Sequence, residues 1–492
     1  MRRRIENVDV LVSHGNAAGR KAVLEMLEAG LMAADPYRNT RALIRIEGGK
    51  LIVGHQDFEP AGDPRTGEEV FDLSRLGRIF VIGAAKGVQW VARAIEDVLG
   101  DRLRGGHVIA KHGEPLIVER IGVSFGGHPV PDEGCLEGCR KILEMCQGLR
   151  EDDLVFTIAG NGISSLLTLP APGVTLDDVR RTTYLMQIER GAPTPDLNPI
   201  RSHLDMLKGG RISRHVQPAM AIHILAYDAN GNIFWREQGY RALLQQNQFL
   251  HTLCDSRTFA DAARMLRKWD AWDAVPPSVR RHIERADPAH ETVKAEEFER
   301  MRFRIFGVLP RARGMLPAAS ARARELGLTP HTLATWLQAE ASQAGGMIAD
   351  IARSIERDGV PFEPPCALFT AGELLVTVGQ ERGMGGRNQE CALAAALRIA
   401  GSPHIVMGMV DSDGTDGPGA QFGRDVAAIP CLAGGLVDGE TAGEAIAAQV
   451  DIRDALKRHD TTPALWRLNS GVLARPGVSL TDLGVILVTG RA

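Results

Sequence analysis

Short apolar runs alternate with glycine-rich turns and amphipathic stretches along most of the chain. Residues 374–378 form one such run, rich in branched side chains, and residues 153–159 are almost uninterrupted in apolar character. Both runs predict strands buried inside a sheet. Residues 17–34 instead place apolar side chains on one stripe at helical spacing, which predicts an amphipathic helix. Because strands and helices alternate, the sequence predicts an α/β fold with mostly parallel sheets flanked by helices.

A glycine-dense loop follows the apolar run at 374–378, with four glycines between positions 379 and 386. A helix is predicted after it, over residues 391–400. Backbone N–H groups in such a loop can approach an anion, and the start of a helix adds a partial positive charge. Arg387 lies at that start, and its planar guanidinium suits phosphate or carboxylate. A tight turn with a surface arginine is the alternative, but the polar residues around Arg387 favour a functional loop.

Lys86 occupies a similar place earlier in the chain. Residues 78–99 predict a strand, a turn of small residues and a helix, with Lys86 in the turn. In open α/β sheets ligands collect at this end of the strands, where a lysine can meet a phosphate as a point charge. A solvated lysine is the alternative. A second unit of this kind follows residues 153–159, and its loop carries Gly160, Asn161 and Ser164.

A densely polar stretch spans residues 198–210. If residues 200–207 are helical, Arg201, Asp205 and Lys208 fall near one face, because side chains three and four positions apart are neighbours on a helix. This face is either functional or an exposed surface of ion pairs.

An acidic loop, residues 411–417, follows another predicted strand at 404–409 and carries three aspartates in six residues. Carboxylates at the end of a strand suit Mg²⁺, a hard cation that takes oxygen ligands and keeps several waters. The spacing is not that of an EF-hand, because position 12 of the loop is Phe422 rather than glutamate. A turn cluster of aspartate and glycine is the alternative.

Composition excludes several classes of function. The 492 residues are 44% hydrophobic and 24% charged with a net charge of −4, which is ordinary for a soluble globular chain of two or more domains. With no basic arm, nucleic acid is not an expected partner. There is no membrane-length apolar run, no apolar signal core and no CxxC pair among the seven cysteines. These features predict a cytoplasmic protein with reduced thiols and no membrane contact.

The candidate residues together are the parts that phosphoryl transfer requires, because that reaction depends on positioning and charge stabilisation. Lys86 and Arg387 supply positive charge, the glycine loops lie at strand ends, and the acidic loop suits a metal. The chain lacks the Walker A pattern GxxxxGK[ST]. Its weak dinucleotide-like pattern, Gly160-x-Gly162-x-x-Ser165, lacks the third glycine. A nucleotide would therefore be held by another scheme.

These motifs resemble those of the glycerate 2-kinase (type II glycerate kinase) family, which has a DUF4147 N-terminal region and a MOFRL C-terminal domain. The resemblance covers most of the chain. The family's GKAA turn resembles residues 83–86, its GHP-x-PD loop residues 127–132, its N-x-VRKHLS-x-KGG run residues 198–210, its GGE…GGRNQE run residues 372–390, and its TDG-x-DG loop residues 413–417. The GGRNQE match is the most specific.

The resemblance implies two α/β domains, expected at 1–295 and 300–492, with an active-site cleft between them. It implies ATP-dependent phosphorylation of D-glycerate at the 2-hydroxyl, with Lys86 and Arg387 as catalytic residues and Mg²⁺ as the expected metal. The expected metal ligands are Asp413 and Asp416. The expected substrate- and nucleotide-binding residues are Gly160, Asn161, Ser164, Asn198, Arg201, His203, Lys208, Glu373, Gly385, Gly386, Asn388, Glu390 and Thr415.

Several loops depart from the family pattern. The SGG-x-SALL loop reads Gly160–Leu167 here, with Asn161 at a glycine position, and a side chain there changes the pocket. The SDV-x-GD loop at 227–232 loses an acid at Asn232, and the late GPTGTNVND loop at 475–482 keeps little beyond Asp482.

These departures leave three functions open. A kinase of D-glycerate or a related small sugar acid is the favoured one. A catalytically altered family member that acts as a binding or regulatory protein is the main alternative, and a hydroxypyruvate reductase is less favoured because it needs a dinucleotide site. The role of residues 227–300 stays open, as does the oligomeric state, with a homodimer as one option.

Overall fold

The chain folds into two compact units. The computed structural model describes residues 3–226, 233–308, 314–417, 429–477 and 480–492. The diverged loop at 227–232 and positions 478 and 479 therefore lie outside the described residues. The central unit is Pro36–Pro310, and the terminal unit joins Met1–Asp35 to Arg311–Ala492. The domain division at 1–295 and 300–492 stays a prediction, but the first 35 residues group with the C-terminal part of the chain.

The strands follow the apolar runs. In chain order they are β1 Ile44–Glu47, β2 Lys50–Val53, β3 Glu69–Asp72, β4 Ile79–Ala84, β5 Leu103–Lys111, β6 Gly122–Gly126, β7 Leu154–Gly160, β8 Met220–Ala226, β9 Phe303–Gly307, β10 Thr329–Leu337, β11 Cys366–Gly372, β12 Ile405–Asp411, β13 Gly434–Asp438, β14 Gly471–Val472 and β15 Asp482–Val488.

The α-helices carry most of the connections between strands. They are α1 Val8–Leu11, α2 Ala17–Ala33, α3 Pro36–Leu43, α4 Val88–Leu99, α5 Glu133–Cys146, α6 Ile163–Leu166, α7 Leu176–Thr183, α8 Thr194–His203, α9 Arg211–Val216, α10 Ile233–Gln245, α11 Phe259–Lys268, α12 Pro277–Arg285, α13 Ala295–Phe298, α14 Met315–Glu325, α15 Ala341–Asp358, α16 Arg387–Arg398, α17 Thr441–Ala447, α18 Ile452–Lys457 and α19 Thr461–Arg467. In the described part of the chain, none of these combines the length and apolar character of a membrane span.

The central unit is built on a six-stranded sheet in the order β6-β5-β4-β7-β8-β9, and all of its neighbouring strands are parallel. Every residue of β7 is buried, as expected for a strand covered on both faces. The predicted α/β fold is confirmed here. Since β4 and β7 pair in parallel up to Ala84 and Ala159, the turn with Lys86 and the loop after Gly160 leave the same edge of the sheet.

The terminal unit has a six-stranded sheet in the order β10-β11-β15-β12-β13-β14. Only β10 and β11 pair in parallel, and the other neighbours among the described strands are antiparallel. The expectation of mostly parallel sheets therefore holds for the central sheet but not for this one. The last strand, β15, inserts between β11 and β12 in the opposite direction. Strand direction was not visible in the sequence because a buried strand reads the same in either orientation.

The apolar run at 374–378 is not a strand, which corrects the prediction. The strand of this region is β11, and Leu375 makes only an isolated bridge to Glu340. Leu375 and Val378 keep 47% and 41% of their surface exposed, whereas Leu374 is buried in the core, so only part of the run packs inside. The helix predicted at 391–400 is present as α16, but it begins earlier, at Arg387.

Candidate active site

The anion at the start of α16 belongs to the protein itself. The backbone N–H groups of Asn388 and Gln389 donate to the two carboxylate oxygens of Asp416 at 3.1 and 2.9 Å. Asp416 is buried, and burial raises the pKa of its carboxyl group. These bonds satisfy donors that the first helical turn cannot pair internally, and the negative charge opposes the helix dipole. The glycine loop therefore does not present these two N–H groups to a ligand.

Gly385 and Gly386 let the backbone pack against neighbouring loops. A Cβ atom on Gly386 would lie 2.4 Å from the Cγ of Asp416, and one on Gly385 would lie 2.6 Å from the carbonyl oxygen of His459. Only glycine leaves room for these approaches. Their predicted ligand-binding role stays a prediction, whereas their close packing explains the double glycine by itself.

Arg387 is fixed in orientation by two buried aspartates. Its Nε donates to both carboxylate oxygens of Asp482 at 2.9 Å, and its Nη2 donates to Asp411 at 2.6 Å. Its Nη1 has a weaker contact, an ion pair with Glu373 at 3.7 Å. Because Asp411 and Asp482 hold one side of the guanidinium, the Nη1 edge can donate to a bound anion.

Electrostatics strengthen this arrangement. Burial opposes the charge of Arg387, but Asp482 and Asp411 outweigh burial and raise its pKa. Burial raises the pKa of Asp482 to about 6, against the opposing effect of Arg387. Burial and the neighbouring Asp413 also raise the pKa of Asp411. One arginine thus faces several buried carboxyl groups, an arrangement that would favour a further cation.

The rest of the GGRNQE run anchors this framework. The side chain of Asn388 donates to Asp416 at 3.2 Å and to Asp482 at 2.8 Å. Gln389 donates to the carbonyl of Asp416 and accepts from Thr462 at 2.6 Å. Asn388 is fully buried and carries no exposed edge for a ligand. These contacts indicate that the run positions Arg387, with Asn388 acting as part of the support.

A cavity of about 530 Å³ lies beside Arg387 within the terminal unit. Glu373, Gly385, Gly386, Arg387 and Glu390 line it, so the structure brings five of the predicted site residues together. Glu390 accepts a hydrogen bond from Nδ1 of His459 at 2.7 Å. Burial raises the pKa of Glu390, and His459 opposes that effect.

The side chains of the acidic loop, residues 411–417, make hydrogen bonds mainly to other groups of the protein. The carboxylate of Asp413 accepts bonds from the backbone N–H and the hydroxyl of Thr415 at 2.8 and 2.7 Å. Asp416 caps α16 rather than pointing at a common centre with Asp413. Within the described ranges, no three His, Cys, Asp or Glu side chains group in a way that could hold a metal ion. Asp413 and Asp416 as metal ligands therefore stay a prediction.

In the central unit, Lys86 lies where β4 ends. Its backbone N–H donates to the carbonyl oxygen of Asn161 at 2.9 Å, which joins the two predicted loops. A Cβ atom on Gly162 would lie 3.0 Å from Cγ of Lys86 and 3.6 Å from the ring of His128. Burial lowers the pKa of His128 to about 3, with added effects of nearby cations including Lys86. The imidazole is therefore neutral at pH 7.

Arg201 is a buried cation with no carboxylate partner among the described residues. Only 6% of it is exposed, and its guanidinium donates to the amide oxygens of Gln187 at 2.9 Å and Asn198 at 3.5 Å. Burial alone lowers its pKa to about 10. A buried charge without a counter-ion is costly, so the arrangement suits an external anion. Asn198, whose side chain donates to the carbonyl of Gln248, supports Arg201, and its predicted role as a binding residue stays a prediction.

Polar groups extend this cluster around Arg201. The hydroxyl of Ser164 lies 3.0 Å from Nε2 of His251. Burial lowers the pKa of His251 well below its usual value, with Lys208 and Arg201 adding to the effect. Lys86 follows the end of β4 and Ser164 follows the end of β7, and the charge of Arg201 lowers the pKa of both His128 and His251.

His203 and Lys208 are bound within the fold. His203 is completely buried and bonds to Glu291 at 2.8 Å through Nε2 and to the carbonyl of Pro199 through Nδ1. Lys208 is 1% exposed and donates to Asp205 and Thr168, each at 2.8 Å. Their predicted contact with a ligand stays a prediction, and each of these bonds joins them to another part of the central unit.

Sequence reasoning missed several residues of these sites. His128, His251 and His459 were not singled out for function. Asp411 was counted only among the three acids of the 411–417 loop, and Asp482 was noted only as the surviving acid of a late loop. The one signal available was position: both residues lie close to predicted strands, and in the structure Asp411 ends β12 and Asp482 begins β15. His459 carried no signal, because its pairing with Glu390 joins residues 69 positions apart.

Replacing Asp416 by alanine should lower the free energy of unfolding by about 2 kcal/mol, because two buried N–H groups of α16 lose their acceptor. Urea unfolding followed by circular dichroism measures this. The matched control is Asp451→Ala, because the Asp451 side chain accepts from the backbone N–H of Asp454 at the exposed start of α18. A loss of about 1 kcal/mol or less in the free energy of unfolding is expected for it. Equal losses for both variants would contradict the assigned role of Asp416.

Family models match both parts of the chain. A model described as a domain of unknown function, DUF4147, matches residues 22–234, and the MOFRL family model matches residues 366–484. The chain thus combines the two regions that define the DUF4147–MOFRL class of α/β proteins, as the sequence motifs indicated.

Relatives and solved structures agree with these matches. A glycerate 2-kinase of Pyrococcus horikoshii is 31% identical over 96% of this chain and 98% of its own length. A D-glycerate 2-kinase of Thermotoga maritima is 30% identical, with 88% and 96% covered. A crystal structure of glycerate kinase from Thermotoga maritima superposes with a TM-score of 0.73 at 28% identity over 96% of this chain and 100% of that one.

The chain belongs to the glycerate 2-kinase family, which confirms the resemblance seen in its motifs. A relative from Agrobacterium vitis that is 30% identical, with 84% of this chain and 87% of its own length covered, carries a hydroxypyruvate reductase name instead.

Proposed function

We propose that the protein is an ATP-dependent kinase that phosphorylates the 2-hydroxyl of D-glycerate or of a related small sugar acid. The observation that carries this proposal is Arg387, a cation at the start of α16 that two buried aspartates hold in one orientation. A second cation, Lys86, follows β4 in the central unit. Glycerate kinase names among the relatives support the same reaction.

The substrate carboxylate is assigned to Arg201. This guanidinium is buried, lacks a counter-ion among the described residues and lies in a cluster with neutral imidazoles. A planar donor fork suits a carboxylate, and the amide oxygens of Gln187 and Asn198 hold it in place. Ser164 and His128 supply hydrogen-bonding groups of the kind that hydroxyls of a sugar acid need.

Lys86 and Arg387 are assigned to the transferring phosphoryl group. The substrate hydroxyl oxygen forms a bond to the γ-phosphorus and loses its proton to water, the bond to the β–γ bridging oxygen breaks, and ADP leaves with that electron pair. Negative charge is spread over the phosphoryl oxygens in the transition state, and fixed cations stabilise it. Asp411 and Asp482 contribute by holding Arg387 in one orientation.

Magnesium fits this site as a partner of the nucleotide rather than as an ion caged by the protein. Mg²⁺ in kinases is held by one or two carboxylates together with phosphate oxygens and water. Asp416 is committed to α16, so Asp413 is the carboxylate assigned to the metal, and Asp416 is assigned to the cap. The metal would neutralise phosphate charge, and the buried carboxyl groups around Arg387 are consistent with an added cation.

A coupled assay of ADP release with Mg-ATP and D-glycerate tests this proposal. A panel of three- and four-carbon sugar acids in both configurations identifies the substrate, and ³¹P NMR of the product locates the phosphate on the 2-hydroxyl. Turnover with at least one acid is expected. Absence of turnover with all of them, for protein that is folded by circular dichroism, would reject the kinase. Oxidation of NAD(P)H by hydroxypyruvate would instead support a reductase.

A further inference from the structure

The cavity beside Arg387 has two unlike sides. Leu374, Leu375, Val376 and Val378 form an aliphatic wall, and the polar side consists of the His459–Glu390 pair, Arg387, Glu373, Glu381 and Arg382. The wall is the apolar run that the sequence suggested as a buried strand. Leu375 and Val378 are nearly half exposed, so this surface is open to a ligand.

The polar side offers a defined hydrogen-bonding atom. Nδ1 of His459 donates to the carboxylate of Glu390, which is only 4% exposed and fixes the ring. The described residues provide no hydrogen-bond partner for Nε2 of His459. In the neutral ring with Nδ1 protonated, Nε2 is an acceptor, which suits a hydroxyl or an amine and not a phosphate.

A small sugar acid does not match this cavity. A volume of about 530 Å³ is in the range of sites for drug-sized ligands and exceeds what three or four carbons fill. Hydroxyl and carboxylate groups placed against four aliphatic side chains would lose hydrogen bonds to water without replacement. The cluster around Arg201 in the central unit offers such an acid charged and polar partners instead.

We propose that this cavity binds the nucleoside part of the phosphate donor. The base packs on the aliphatic wall of Leu374–Val378, Nε2 of His459 accepts from a ribose hydroxyl or from the amine of the base, and the phosphates extend to Arg387. The assignment rests on the proposed kinase function and deepens it, because it names the surface that takes the nucleotide.

Titration calorimetry with ADP and with inorganic tripolyphosphate tests the wall. Leu375→Asp and Val378→Asp should each weaken the binding of ADP at least tenfold, because a charge replaces the apolar contact. Both variants should bind tripolyphosphate within about twofold of the unchanged protein, since this probe has no nucleoside. Ile446→Asp is the matched control: Ile446 is 80% exposed on α17 of the same unit, away from the cavity, and its replacement should leave ADP binding unchanged.

His459→Ala should weaken the binding of ADP about tenfold. His459→Asn should recover part of the lost affinity, because the amide oxygen is again a hydrogen-bond acceptor. Unchanged ADP affinity in the wall variants, or equally weakened binding of ADP and tripolyphosphate, would overturn the assignment of the nucleoside to this cavity. Turnover with ATP in the unchanged protein would still support the kinase function. Absence of ADP binding and of turnover in the unchanged protein would overturn both proposals.

Discussion

Replacing Arg387 by alanine should lower kcat by a factor of about 10² or more, the scale of a lost electrostatic contact to a transition state. Two buried aspartates hold this guanidinium through Nε and Nη2, so its Nη1 edge is already oriented before a ligand arrives. A fixed cation of this kind stabilises developing charge without reorganising. Steady-state kinetics of ADP release with the best acid of the panel measures the effect.

The same helix provides the control for Arg387. Arg398 lies at the other end of α16 with 61% of its side chain exposed, and Arg398→Ala should leave kcat unchanged. Arg387→Lys should recover little activity, because a lysine cannot bond to Asp482 and Asp411 while presenting a further donor edge. If Arg387→Ala turns over at the normal rate, Arg387 has no part in the chemistry.

Replacing Lys86 by alanine should also reduce kcat by a factor of about 10² or more. The lysine follows β4 at the sheet edge where ligands of parallel α/β sheets collect, and its backbone bond to Asn161 fixes the turn. Its charge reaches the cluster of Arg201 and His128, because Lys86 and Arg201 both contribute to the lowered pKa of that imidazole. We therefore expect loss of kcat to exceed any change in KM for the acid.

Lys141 is the matched lysine for this test. It lies on α5 of the same unit, 45% exposed and paired with Glu137 at 2.5 Å, and Lys141→Ala should have normal kcat and KM. A Lys86→Ala enzyme with intact kcat and a raised KM would show that Lys86 binds substrate and does not stabilise the transition state.

Much of the site was predictable because its signals are local. Strand, turn and helix follow one another within about twenty residues around Lys86, and such units place their loops at the carboxyl ends of strands. Around Arg387 the local signal was the glycine loop and the helix start, since β11 already ends at Gly372. The family resemblance added the reaction. The expectation that failed, a buried strand at 374–378, failed for a physical reason: an apolar run in sequence does not say whether its side chains meet the core or a ligand cavity.

The contacts that define the roles of individual residues were not local. Asp482 meets Arg387 across 95 positions, Asp416 meets Gln389 across 27, and Glu390 meets His459 across 69. No periodicity links such pairs, because they depend on the order and direction of strands in the sheet. The insertion of β15 between β11 and β12 is what carries Asp482 to Arg387.

By itself, the sequence determined the α/β class, the family and the two cationic residues on which the proposed chemistry depends, because these are carried by short patterns of apolar, glycine and charged residues. The tertiary structure decided which groups remain available to a ligand. Asn388, His203 and Lys208 are buried and hydrogen-bonded within the fold, whereas Arg201 is a buried cation without a carboxylate partner among the described residues. A side chain's partners depend on what folds against it, and that is fixed only when the sheet is assembled.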